Sequence, residues 1–206
     1  QRARLMQSLP SGGKMAAILA DPARVAAAIE AYSDRIAVAA MNGPQSVVIS
    51  GDESAVDEVM TTLEREGIKC KPLATSHAFH SHRMEPMLDD LRKAAESVKC
   101  STPAIPIVAN LLGRTADAAT YADPGYWSRH ARSPVQFDAG MRAIAELGCE
   151  VFLEIGPSPT LIGMGRHCLP ANRYAWLPSL RPGRDDWQTM LDSLGELYVR
   201  GATIDW

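Results

Sequence analysis

Ile36-Ala37-Val38-Ala39-Ala40-Met41, Asn42-Gly43-Pro44-Gln45 and Ser46-Val47-Val48-Ile49-Ser50 follow one another without interruption, two apolar runs joined by a turn whose Asn-Gly is a strong hairpin signal. On the N-terminal side of this hairpin, residues 14–20 read as a strand. Asp21-Pro22 then opens a helix to about Tyr32, with the proline in the first turn, where its missing N–H costs nothing. On the C-terminal side, Gly51-Asp52 caps a helix through Glu66, Gly67 ends it, and residues 68–75 alternate like a strand.

The resulting β-α-β-β-α-β order is the ferredoxin-like arrangement. After residue 75 the pattern changes to alternating helices and strands. Residues 84–98 read as a charged amphipathic helix, 105–110 as a short buried strand, 135–147 as a helix and 151–155 as another buried strand. Pro159 opens a further helix toward His167. Such alternation implies a parallel sheet, of which two or three strands are present. The expected fold class is α/β with an α+β subdomain.

Composition narrows the function. With 206 residues, 46% of them hydrophobic, the chain can bury a core, and a formal charge of −3 argues against nucleic acid, whose phosphates require a basic surface. No apolar run reaches the length of a membrane span and no signal peptide opens the chain, so a soluble, cytoplasmic protein is expected. Cys70, Cys100, Cys149 and Cys168 are scattered, with no CxxC pair, and His77 and His82 have no carboxylate at ligand spacing. Neither a disulfide framework nor a metal site is expected.

The chemistry concentrates in His77-Ala78-Phe79-His80-Ser81-His82-Arg83-Met84, where a strand hands over to a helix. A histidine there suits acid/base work because its ordinary pKa lies near neutrality. This segment, together with Arg2-Ala3-Arg4-Leu5-Met6-Gln7, Met15-Ala16-Ala17-Ile18, the run from Asn42 to Gly51, Tyr126-Trp127 with His130, Pro134-Val135-Gln136-Phe137 and Phe152-Leu153-Glu154-Ile155-Gly156-Pro157, resembles the acyltransferase domain of modular polyketide synthases. That family is related to the malonyl-CoA:acyl-carrier-protein transacylases, and several motifs in its spacing make the resemblance specific.

The resemblance implies transfer of a malonyl unit from malonyl-CoA, through an acyl-serine, to the phosphopantetheine thiol of an acyl carrier protein, with ketosynthase and other synthase domains as neighbours and no bound cofactor. It makes His80 the catalytic base and His130 the residue whose main-chain carbonyl orients it. Arg2 is implied as the partner of the malonyl carboxylate, because a guanidinium binds a carboxylate bidentately. Phe79 stands where an α-methyl would lie, so the HAFH string implies malonyl over methylmalonyl. His77 and His82 are expected at the rim, with His77 counted among the substrate-binding positions. Asn42 and Asn110 occupy positions where the family has asparagines near the pocket, although a turn and a strand end also account for them.

One departure stands out. The family's nucleophile is a serine in a GHSxG elbow ahead of the RGRLMQ segment, and no GxSxG occurs here. Gly51-Asp52-Glu53-Ser54 and Gly156-Pro157-Ser158-Pro159 lack the elbow's flanking glycines and its strand-to-helix context. The chain therefore reads as the C-terminal part of an acyltransferase, inactive alone. Residues 1–13 would end one segment of the large subdomain, 14–75 form the ferredoxin-like small subdomain, 76–176 return to the large one and 177–206 form the linker that follows it. The alternative is a non-catalytic unit that docks the carrier protein or neighbouring domains.

Overall fold

The computed structural model describes residues 1–206, which divide into two compact units, Gln1–Ala143 and Ile144–Trp206. The first opens with α1 (Arg2–Gln7) and continues through β1 (Gly13–Ile18), α2 (Pro22–Ile29), a 3₁₀ turn (Glu30–Tyr32), β2 (Ile36–Gly43), β3 (Ser46–Asp52), α3 (Glu53–Arg65) and β4 (Cys70–Pro72). The four strands form one antiparallel sheet in the order β2-β3-β1-β4. Asp21 caps α2 by accepting the Ala23 N–H at 2.8 Å, with Pro22 at the first helical position, as the sequence signals require.

The two faces of the sheet differ in what covers them. Ile18, Val47 and Ile49 turn to one side and pack with Val25 and Ile29 of α2 and with Val56, Val59 and Leu63 of α3. Burying each such side chain stabilises the fold by about 1.5–3 kcal/mol. Met15 and Val48 turn to the other side, where Ala39, Leu73 and Phe79 meet them. Gly51 pairs with Ile36, and a β-carbon on it would lie 2.0 Å from the Arg35 carbonyl oxygen, so only glycine allows that approach.

After β4 come a 3₁₀ turn (His82–Met87), α4 (Leu88–Glu96), β5 (Ile107–Ala109), β6 (Arg114–Ala116), α5 (Ala118–Ala122), α6 (Pro124–Arg132) and α7 (Phe137–Glu146). Residues 105–110 do not supply a buried parallel strand. β5 pairs antiparallel with β6, and Ile105 is 76% exposed. Pro106 has no N–H to give a ladder, and Gly113, at φ 63°, turns the chain back after only three paired residues.

The second unit contains β7 (Val151–Glu154), α8 (Thr160–Cys168), β8 (Ala175–Pro178) and α9 (Asp186–Val199). β7 and β8 pair in parallel around α8, the crossover that β/α alternation implies. The expected buried strand 151–155 is more exposed than foreseen: Leu153 of β7 is 43% exposed, and Ile155, just past its end, is 78% exposed. β8 was not foreseen, and its last residues, Leu177 and Pro178, fall where the sequence reading begins a linker. No helix is long and apolar enough to cross a membrane.

Candidate active site

The loop that leaves β4 carries His77 to His82, and Phe79 fixes it against two clusters at once. Its ring packs on Met15, Ala39 and Val48 of the sheet and also on the cluster built from Met6, Met84, Met87, Leu91 and Ala131. The next residue, His80, has φ 60°, one of only two non-glycine residues with positive φ. A residue with a β-carbon holds that left-handed conformation only where its surroundings enforce it, and such positions gather at functional sites.

The imidazole of His80 is oriented by main chain. Its Nδ1 lies 2.8 Å from the Ser133 carbonyl oxygen, so Nδ1–H donates and Nε2 is left as the basic nitrogen. The acceptor at hydrogen-bonding distance is thus Ser133, three residues beyond the expected His130, whose carbonyl adds a weaker contribution. The cause is the end of α6. Ser133 closes it with its N–H on the Arg129 carbonyl, and Pro134 follows, so Ser133 is extended (ψ 162°) and not helical. Val135 then joins the edge of β2, exchanging N–H to carbonyl bonds of 2.8 Å with Ala39 and Met41, and the Gln136 N–H donates to the Asn110 carbonyl at 2.7 Å. Asn110 therefore helps place Ser133 through its own backbone.

Burial pushes the pKa of His80 below its ordinary value, the Ser133 carbonyl opposes this, and the charge of Arg2 adds to the lowering. With carbonyls and no carboxylate as its support, the imidazole stays neutral at neutral pH and is ready to accept a proton. His130 is lowered too, by burial first, then by Arg2 and His80. Its ring stacks on Tyr126 at 6.0 Å, lies 6.1 Å from the His80 ring, and leaves both nitrogens buried without a partner.

The other expected positions separate. Arg2 is exposed at the start of α1, beside an apolar groove of about 280 Å³ that Leu91, Val98 and Trp127 help to line. Asn42 sits in β2 beside the irregular pairing at Met41 and Gly43. His77 is not at the rim. It is buried, its Nε2 3.0 Å from the Leu9 carbonyl and its Nδ1 2.9 Å from Ser76 Oγ, which commits both nitrogens to the protein and leaves neither for substrate. His82 is half-buried, with Nε2 3.2 Å from Asp52 Oδ1. Sequence reasoning did not find Ser133, although the Ser-Pro pair that stops α6 is its visible signal, or the ties of Asp52 and Arg83 to the loop.

A half-buried imidazole held by a main-chain carbonyl on a strained loop has the chemistry to accept a proton at its other nitrogen. The chain belongs to the acyl transferase domain family, which matches residues 1–204. It is 41% identical over 209 residues to the spectinabilin polyketide synthase system protein NorB of Streptomyces orinoci, covering 100% of this chain and 10% of that protein. Its fold matches the acyltransferase domain from the second module of the salinomycin polyketide synthase at a TM-score of 0.94 and 40% identity, covering 100% of this chain and 48% of that one. It also matches, at TM-score 0.82 and 26% identity, one chain of the PlMCAT:AntF structure, a type II PKS acyl-carrier protein in complex with its malonyl-transacylase, covering 95% of this chain and 62% of that one. The chain thus spans about half of the salinomycin domain and a tenth of NorB.

Proposed function

We propose that this chain carries the general-base half of a polyketide synthase acyltransferase that moves a malonyl unit from malonyl-CoA to the phosphopantetheine thiol of an acyl carrier protein. The observation that carries this reading is the half-buried imidazole of His80, whose Nδ1 is held 2.8 Å from the Ser133 carbonyl oxygen, which leaves Nε2 as the basic nitrogen. Nε2 takes the proton of a serine hydroxyl as that oxygen attacks the thioester carbonyl, then returns it to the departing CoA sulfur. In the second half it takes the carrier thiol's proton as the sulfur attacks the acyl-serine, and gives it back to the serine oxygen. The serine is not in a GxSxG of these residues, so it is supplied outside them, and the chain alone transfers nothing.

Arg2, exposed and at the edge of an apolar groove, is assigned to the malonyl carboxylate, and Phe79 to the wall that disfavours an α-methyl. In the same reading residues 14–75 are the ferredoxin-like small subdomain, supported by the β2-β3-β1-β4 order, and 177–206 the linker after the large one. The test is acyl transfer to a carrier protein by an active acyltransferase that includes this chain. His80→Ala lowers the rate by roughly two to four orders of magnitude, the range for a lost general base, while His82→Ala retains most of it. Equal losses from both would refute the assignment of the base.

A further inference from the structure

The segment from His77 to Arg83 is tethered at several points away from the reacting nitrogen. Upstream, His77 is bound to the Leu9 carbonyl. Within the segment, wholly buried Ser81 donates to the Ala78 carbonyl at 2.6 Å and accepts the Arg83 N–H at 3.2 Å. Downstream, Arg83 Nε donates to Asp52 Oδ1 at 2.8 Å and its Nη1 to the Ser11 carbonyl at 3.1 Å. His82 Nε2 lies 3.2 Å from the same Oδ1, and Arg35 Nε 3.4 Å from Oδ2. Asp52 thus draws together two side chains of the loop that carries His80. Its place is N-terminal to α3, yet its carboxylate does not cap that helix.

Asp52 is itself anchored, since it ends β3 opposite Gly13. A β-carbon on Gly13 would stand 2.6 Å from Ala78 Cβ and 2.9 Å from Arg83 Cδ, which shows how closely the loop is drawn onto the sheet there. We propose that Asp52 is a positioning residue for His80: through Arg83 its carboxylate pins the loop to the sheet and so maintains the left-handed turn that aims Nδ1 at Ser133, with the longer His82 contact adding little. Asp52 touches no reacting atom. The inference rests on the reading of His80 as the base.

The test uses an active acyltransferase that includes this chain, with Asp52→Ala, Asp52→Glu, Arg83→Met and, as a control on the same sheet, Lys14→Met, which breaks the 2.6 Å Lys14–Asp57 ion pair. Amide hydrogen exchange over residues 77–83 and steady-state transfer are measured on each. Asp52→Ala accelerates exchange in that segment and lowers kcat by on the order of 10–10²-fold, the scale of a base displaced by about 1 Å, with KM for the acyl-CoA little changed. Asp52→Glu recovers part of both, and Lys14→Met alters neither. Unchanged exchange in Asp52→Ala overturns the tether, and faster exchange with kcat unchanged overturns its role in positioning. If Asp52→Ala does not fold, Arg83→Met carries the same two readouts. A parent enzyme that transfers no acyl group removes the reading of His80 as base, and exchange still decides whether Asp52 holds the loop.

Discussion

Replacing His80 by glycine and by alanine separates the cost of its backbone from the loss of its imidazole. Both variants lose the Ser133 hydrogen bond and the half-buried ring, so these contributions cancel in the comparison. What remains is the φ of 60°. A β-carbon in the left-handed region costs about 1–2 kcal/mol, which glycine avoids, while glycine loses about 0.5–1 kcal/mol more chain entropy on folding. His80→Gly therefore comes out more stable than His80→Ala by about 0.75 kcal/mol at the centre of a range of roughly 0–1.5, or about three- to fourfold in the local opening equilibrium. Hydrogen exchange over residues 77–83, in an active acyltransferase that includes this chain, reads that difference directly. Turnover falls by about 10²–10⁴-fold in both, because neither retains a base. Equal or better protection in His80→Ala would refute the claim that the turn is strained and held by its tethers.

Three further variants are read from the same geometry. Arg2 helps keep His80 below its usual 6.5, so Arg2→Ala raises that pKa, and the acid limb of kcat/KM, where activity is lost as His80 takes a proton, moves to higher pH; a pH–rate profile checks it. His130→Phe keeps the stack on Tyr126 and removes two buried nitrogens without partners, a gain of about 1 kcal/mol in urea unfolding at pH 8. Because the folded-state pKa of His130 is depressed, the unfolded chain binds its proton first, so stability is lost as pH falls below about 6.5, and His130→Phe shows a shallower loss between pH 7 and 5. Phe79→Ser opens space between two clusters, costing about 3 kcal/mol or less, and shifts the methylmalonyl to malonyl ratio of kcat/KM upward by at most about 10–200-fold, read by competition between the two acyl-CoAs.

The order of elements through residue 72 was legible because each is written locally. Asp21-Pro22 starts a helix by its own capping, the Asn42-Gly43 turn joins two apolar runs, and side-chain alternation separates the faces of β1 and β3. The histidine-rich segment was legible for the same reason, as a run of residue types suited to one chemistry. Strand partners were less so, since a run such as residues 105–110 states its apolarity but not what it pairs with, and Pro106 and Gly113 turned it into an exposed hairpin. Only the tertiary structure decided that Ser133 supplies the carbonyl, because that depends on where α6 stops and on Val135 joining β2, contacts between residues some 95 positions apart. The same holds for the burial of His77 against Leu9 and for the pull of Asp52 on Arg83, each made by residues distant in sequence. Residue identity determined which groups can accept a proton or pair with a charge; the folded backbone decided which nitrogen of His80 is free, because a main-chain carbonyl has the same chemistry at every position and is selected by place alone.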